Sequence, residues 1–210
     1  MARNGPTSRV GKTRRGRYLH NHPADDRVVI LDIDGVLADL TEFEHLLTRA
    51  DVAIQQRWRD FFDHIPDAKV LDDGRELAWA IAGLGHTLLY STTRPAYTRT
   101  PTRAWLGVHD FPIARALLAR PHVEPPRHPQ PAFQIKLAHS RAVTNKHPAW
   151  LRCFIDDDQA IVDRLRAQHV PAATATALSS LGVAELRRRL DSAPMKAFDP
   201  PPADVLQHSP

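Results

Sequence analysis

Two short acidic segments directly follow apolar, β-branched runs of the sequence. They are DIDG (32–35) and DDD (156–158). Apolar runs of this kind predict strands that are buried on both faces, as in parallel sheets. Clustered carboxylates are costly unless a cation lies among them, and hard oxygen ligands with few His or Cys nearby favour Mg²⁺. The two segments therefore predict a magnesium site built from carboxylates.

The spacing within DIDG suits a nucleophile and a separate acid/base. Asp32 and Asp34 would share one face of a regular strand, but Gly35 permits a turn at this point. One carboxylate can then point at a substrate while the other is reoriented, which separates nucleophilic from acid/base catalysis. An EF-hand is excluded because its loop has glycine five positions after the first Asp and a later Glu, whereas here glycine comes three positions after Asp32.

A third group of polar residues, STTR (91–94), follows another short apolar run. In an open parallel sheet, ligands bind outside the carboxyl ends of the strands. Three such strand ends would bring carboxylates, hydroxyls and an arginine into one crevice.

The elements that must position these residues alternate along the chain. Strands are predicted at 28–33, 87–90, 116–119, 152–155 and 172–176, and helices at 41–47, 52–62, 73–84, 97–106, 133–143, 159–169 and 183–190. Residues 121–132 are rich in Pro and His and predict a loop. Strands that alternate with helices indicate an α/β fold, with a mostly parallel sheet and helices on both faces.

Composition bounds the class of protein. The 210 residues are 42% hydrophobic and 25% charged, which is typical of a globular domain. One cysteine excludes a disulfide framework within the chain. The sequence has no run of about 18 apolar residues, so it predicts no membrane span, and we expect a cytoplasmic protein.

The positive charge is confined to one end of the sequence. Residues 1–24 hold six basic side chains and no carboxylate, and the remainder holds 22 basic and 24 acidic ones, a formal charge of −2. We predict a disordered basic arm at 1–26, a folded domain at 27–191 and a disordered Pro-rich tail at 192–210. The arm is a candidate contact for nucleic acid, with a solubilising tail as the alternative.

Four segments in order resemble the motifs of the haloacid dehalogenase (HAD) phosphohydrolases. VVILDIDGVLAD (28–39) resembles motif I, LLYSTTRP (88–95) motif II, Lys136 in FQIKLAHS motif III, and FIDDD (154–158) motif IV. One such motif is weak alone, but four in order on the expected elements are specific. The resemblance implies a three-layer Rossmann-like fold with a minimal helical cap, roughly at 40–70.

The resemblance also implies roles for individual residues. Asp32 would attack phosphorus to form an aspartyl-phosphate, and Asp34 would protonate the leaving oxygen and then activate water. Thr92 would hydrogen-bond the phosphoryl group, and Lys136 would offset negative charge. The implied Mg²⁺ ligands are Asp32, Asp34 through its backbone carbonyl, Asp156 and Asp157. Asp158 is expected to be solvated or to cap a helix.

The substrate is expected to carry its phosphate on something large, because so small a cap leaves the site open. Thr92-x-Arg94 resembles the phosphatase domain of polynucleotide kinases, whereas DGVLAD (34–39) also resembles the 5′(3′)-deoxyribonucleotidases. We predict Arg94, Ser91 and Gly35 as substrate-binding residues, with a salt bridge to a carboxylate as the alternative for Arg94.

The leading hypothesis is a phosphatase for polynucleotide 3′-phosphate ends. The first alternative is a 5′(3′)-nucleotidase or small-metabolite phosphatase. The second is a non-catalytic nucleic-acid-binding accessory protein that uses the basic arm.

Overall fold

The structure is a computed structural model that describes residues 27–121 and 131–192. The predicted basic arm, the Pro-rich tail after residue 192 and most of the predicted 121–132 loop lie outside the described residues.

Five parallel strands form the central sheet, and two short strands form a separate antiparallel pair. The strands are β1 (Val28–Asp32), β2 (Ala38–Asp39), β3 (Lys69–Val70), β4 (Thr87–Pro95), β5 (Ala116–Arg120), β6 (Leu151–Asp156) and β7 (Ala172–Thr174). The central sheet has the order β5-β4-β1-β6-β7. All five residues of β1 are buried, which explains the uninterrupted apolar run before Asp32. The predicted parallel α/β fold is confirmed.

Helices cover both faces of this sheet. They are α1 (Ile54–Asp63), α2 (Asp72–Gly83), α3 (Arg99–Val108), α4 (Ala132–Thr144), α5 (Gln159–Ala167), α6 (Ala175–Ser179) and α7 (Val183–Asp191), with 3₁₀ turns at Thr41–Thr48, Ile65–Asp67 and Ala96–Thr98. Val29 and Leu31 pack in the apolar cluster shared with α2, α3, α6 and α7, whereas Val28 and Ile30 pack in the cluster shared with α4 and α5. Within the described ranges, no helix combines the length and hydrophobicity needed to cross a bilayer.

The antiparallel pair of β2 and β3 closes a helical insert. Ala38 lies opposite Val70, and the chain between the two strands forms α1 and two of the 3₁₀ turns. The indole of Trp105 on α3 donates to the carbonyl of Ala68 at 3.0 Å, which ties the base of the insert to the main domain. Strands of two residues have no detectable alternation, so the sequence did not predict this pair. The helix predicted at 41–47 is a 3₁₀ helix.

Among the element boundaries that differ from prediction, two have a clear local cause. β4 continues to Pro95, because its end still pairs with β5 at Arg120 after a register shift. The strand predicted at 172–176 ends at Thr174, whose hydroxyl accepts from the amide of Ala177 and starts α6. The first difference matters for the site, since it places the 91–94 segment inside a strand.

Candidate active site

Residues predicted to take part in catalysis and metal binding lie together at one edge of the sheet. β1 lies between β4 and β6, and Asp32 and Asp156 are the last residues of β1 and β6. Thr92 lies in the neighbouring β4, one residue beyond the position that pairs with Asp32. Because the strands are parallel, these carboxyl ends form a single crevice.

Lys136 joins the two buried carboxylates. Its Nζ lies 3.0 Å from Asp32 Oδ2 and 2.7 Å from Asp156 Oδ2, and all three residues are buried. Burial alone would lower the pKa of Lys136, but the charges of Asp32 and Asp156 raise it above its ordinary value. Burial raises the pKa of Asp32 well above its usual range; Lys136 opposes this shift and Asp156 adds to it. One ammonium group therefore does not neutralise the carboxylates around it.

A third carboxylate completes this cluster. Ligand atoms of Asp32, Asp156 and Asp157 all lie within 4.8 Å of one another, and Asp32 Oδ1 is buried with no hydrogen-bond partner. Three carboxylates beside the single ammonium of Lys136 carry a formal charge of −2. The cluster thus has the charge and the oxygen donors to hold one divalent cation.

A tight turn after β1 separates Asp34 from the cluster. Gly35 has a φ of +78°, and the amides of Leu37 and Ala38 both donate to the carbonyl of Ile33. A Cβ at Gly35 would collide with the carboxylate of Asp157, so a larger residue would also force that side chain to move. The side chain of Asp34 does not take part in the three-carboxylate cluster.

Asp34 instead pairs with Arg94. The Arg94 Nη2 lies 2.6 Å and its Nε 3.0 Å from Asp34 Oδ1, and Thr92 Oγ1 donates to Asp34 Oδ2 at 3.1 Å. Arg94 is only 1% exposed, and its Nη1 donates to Thr102 Oγ1. The guanidinium is therefore engaged within the protein. The salt bridge, which was the alternative for Arg94, is the arrangement seen, rather than a free substrate contact.

The side chain of Ser91 is occupied inside the protein. Successive residues of a strand face opposite sides of the sheet, so Ser91 points away from the side that Thr92 occupies. Its fully buried Oγ lies 2.9 Å from Nδ1 of His139 on α4. The predicted substrate-binding role of Ser91 is corrected to a contact between β4 and α4.

This buried pair predicts a specific acid sensitivity. Burial lowers the pKa of His139 to about 4, and the nearby charges of Arg99 and Lys136 act in the same direction. In the unfolded state, His139 binds a proton near pH 6.5. The free energy of unfolding that is present above this pH therefore falls by about 3 kcal/mol as the pH drops towards 4. Between pH 7 and pH 4, we expect the free energy of unfolding, measured in urea, to fall by about 3 kcal/mol less in His139→Gln than in wild type. Parallel losses in the two proteins would contradict this assignment.

Two supporting residues were missed by the sequence analysis. Thr102 contacts Arg94, and its signal was a polar residue on the apolar face of a helix, one turn before Leu106. The second residue is His139, which is buried and contacts Ser91. Asp158 was predicted to be solvated or to cap a helix, and it caps α5 by accepting from the amides of Ala160 and Ile161.

Comparison with known proteins identifies the fold. No family model and no curated protein matches the sequence. A chain in the structure of the Pnkp1/Rnl/Hen1 complex is 16% identical with a TM-score of 0.52, covering 75% of this chain and 48% of its own length. A second structure, described as the Pnkp1/Rnl/Hen1 RNA repair complex, gives 16% identity and a TM-score of 0.51, covering 78% and 46%. The present chain thus spans about half the length of those neighbours.

A third neighbour matches over nearly its whole length. It is a haloacid dehalogenase-like hydrolase from Bacteroides fragilis, with 14% identity and a TM-score of 0.51, covering 77% of this chain and 92% of that one. The fold is therefore that of the haloacid dehalogenase-like hydrolases, as the motifs predicted. Identities of 14% and 16% support a shared fold and no more than that.

Proposed function

We propose that this protein is a magnesium-dependent phosphomonoesterase that acts through an aspartyl-phosphate on Asp32. The observation that carries the proposal is the buried arrangement of Asp32 and Asp156 around Lys136, with Asp157 beside them, at the carboxyl ends of the strands. Phosphoryl transfer needs positioning and charge neutralisation around the phosphoryl oxygens, and this arrangement provides both.

In the first step, a carboxylate oxygen of Asp32 bonds to phosphorus, and the bond between phosphorus and the ester oxygen breaks. Asp34 supplies the proton that the leaving oxygen takes up. In the second step, Asp34 removes a proton from water, which attacks phosphorus and releases inorganic phosphate with Asp32 restored. Thr92 and Lys136 orient the phosphoryl group and offset its charge.

The donor set fits Mg²⁺. Asp32, Asp156 and Asp157 would hold the ion, together with the backbone carbonyl of Asp34. The unpartnered Oδ1 of Asp32 and the net charge of −2 support this assignment. When bound, the ion neutralises the phosphoryl oxygens and keeps the carboxylates ionised.

Mg²⁺ should stabilise the folded protein. A ligand that binds the native state alone adds about 2.7 kcal/mol to the unfolding free energy at 100 times its Kd. We expect Mg²⁺ to raise the unfolding temperature of the wild type and to have little effect on Asp157→Asn. Asp163→Asn, on the exposed side of α5, is the matched control and should respond like wild type. An equal rise in Asp157→Asn would remove Asp157 from the ligand set.

For the substrate, we propose polynucleotide 3′-phosphate ends. The Thr92-x-Arg94 pattern supports this choice, and so does the short helical insert between β2 and β3, because a small cap leaves a site open to large substrates. The structural neighbours in an RNA repair complex point the same way. The nucleotidase, small-metabolite and accessory-protein alternatives are separated from it by experiment.

The test is phosphate release with Mg²⁺ from a matched panel. The panel holds a 3′-phosphorylated oligonucleotide, its 5′-phosphorylated counterpart, 3′- and 5′-mononucleotides and a sugar phosphate, with EDTA as the control. Preference for the 3′-phosphorylated oligonucleotide supports the proposal, and preference for mononucleotides makes the protein a nucleotidase. No release from any substrate, with salt-sensitive oligonucleotide binding lost on deletion of residues 1–24, would favour the accessory protein.

A further inference from the structure

A second arginine lies at the edge of the crevice and plays no part in the mechanism above. Arg120 is the last residue of β5, and it pairs with Pro95 at the end of β4. β5 is parallel to β4 and β1, so its carboxyl end opens on the same edge of the sheet as Asp32. Neighbouring strands lie about 4.8 Å apart, which places β5 about 10 Å from β1.

Arg120 differs from Arg94 in its partners. Arg94 is held by Asp34 and Thr102. Arg120 is half-buried, and its buried Nε has no hydrogen-bond partner. Burial lowers the pKa of Arg120, and no carboxylate of the described residues counters that shift. A partly buried guanidinium without a counter-charge carries part of its desolvation cost uncompensated, so this position favours an anionic ligand.

The side of the sheet on which Arg120 lies is also defined. Ala116 and Leu118 pack in the apolar cluster shared with α4, and alternation along β5 places Arg120 on that same side. Lys136 reaches Asp32 from α4 as well. Arg120 and Lys136 therefore lie on the same side of the sheet, with Lys136 at the proposed phosphoryl site and Arg120 on the edge strand.

We propose that Arg120 binds the internucleotide phosphodiester next to the terminal phosphate of a polynucleotide substrate. The inference rests on the proposed function and names the residue that distinguishes a polynucleotide from a mononucleotide. The guanidinium fork matches two phosphate oxygens, and a mononucleotide has no second phosphate to offer it. Arg94 cannot fill this role because its fork is occupied by Asp34.

The first arm of the test is kinetic. It compares kcat/KM for a 3′-phosphorylated dinucleotide with kcat/KM for the 3′-mononucleotide, in wild type, Arg120→Gln and Arg120→Lys. We expect Arg120→Gln to lower the dinucleotide-to-mononucleotide ratio about tenfold, the effect of one charge-assisted hydrogen bond. Arg120→Lys keeps the charge but not the fork, so it should lower the ratio less than Arg120→Gln does. Arg141→Gln removes an equal charge from the exposed last turn of α4, at the opposite end of the sheet, and should leave the ratio unchanged.

The second arm measures binding without turnover. In an Asp32→Asn background, a labelled 3′-phosphorylated oligonucleotide is titrated by fluorescence anisotropy at several salt concentrations. Removing one phosphate contact to a single strand should reduce the slope of log K against log salt by about 0.7 for Arg120→Gln. Arg141→Gln should keep the wild-type slope.

The outcomes separate the two proposals. Phosphate release by wild type with an unchanged ratio and slope in Arg120→Gln overturns the role of Arg120 and leaves the phosphatase in place. A loss of activity on both substrates in equal proportion, with Arg120→Lys equally affected, makes Arg120 structural and also overturns the inference. No release by wild type from any substrate overturns the proposed function, and this inference falls with it.

Discussion

Replacing Asp32 by asparagine should lower phosphate release by at least about 10⁴-fold, because the amide cannot act as the nucleophile. The fold should persist. Lys136 keeps its 2.7 Å contact with Asp156, so the substitution leaves no unpaired ammonium in the core. The substitution also removes the burial cost of the Asp32 carboxylate and its repulsion with Asp156, which together raise the pKa of Asp32 in the wild type. Steady-state phosphate release and urea unfolding, measured on the same preparation, check both parts.

The matched control is Asp158→Asn. Asp158 belongs to the same acidic run, but its carboxylate caps α5 by accepting from the amide of Ala160 at 2.7 Å. Asparagine is an equally good N-cap, so both activity and stability should stay close to wild type. If Asp32→Asn kept more than a tenth of the wild-type rate, the proposed nucleophile would have to be another group.

The central sheet was predictable because strands that are buried on both faces consist of continuous apolar runs. Val28 to Asp32 contain no polar residue before the carboxylate, and the same holds for the later part of β6 before Asp156. Parallel topology then places the residues after these strands at one edge, so the meeting of Asp32 and Asp156 follows from the sequence pattern. The pairing of β2 with β3 did not follow, because two-residue strands are defined by their partner and not by their own side chains.

The orientation of side chains within the site was less predictable. Ser91 and Thr92 are adjacent and chemically alike, and only the exact register of β4 decides which of them contacts Asp34 and which contacts His139. Arg94 could equally have served a substrate or a carboxylate, and the outcome depends on the turn at Gly35, which brings Asp34 within 2.6 Å of it. Both outcomes depend on contacts between segments that lie far apart in the sequence, and the spacing of residues does not reveal such contacts.

The second large effect on stability and activity is expected from breaking the ion pair between Asp34 and Arg94. Asp34→Asn leaves the guanidinium of Arg94, which is 1% exposed, without its counter-charge, and breaking a buried pair in this way costs about 3 kcal/mol of unfolding free energy. It also removes the proposed acid/base, so phosphate release should fall about 10²- to 10⁴-fold. Arg94→Gln should destabilise less, because the carboxylate of Asp34 is 36% exposed and can be hydrated.

The double variant, which combines Asp34→Asn with Arg94→Gln, separates stability from chemistry. The two substitutions together leave no unpaired charge, so the double variant should lose about 1–3 kcal/mol less than the sum of the single losses. Its activity should stay as low as that of Asp34→Asn, because restoring the electrostatic balance does not restore a proton donor. The single and double substitutions are compared by urea unfolding and by phosphate release.

A second double-mutant cycle, on the surface pair of Arg27 and Asp191, provides the reference. Their side chains are 38% and 39% exposed, so the coupling should be below about 1 kcal/mol despite a 2.6 Å contact equal to that of the buried pair. Equal couplings in the two cycles would mean that burial adds nothing to the Asp34–Arg94 interaction. A larger coupling at the buried pair, with activity lost in both Asp34→Asn and the double variant, assigns the proton transfer to Asp34 and makes Arg94 its stabilising counter-charge.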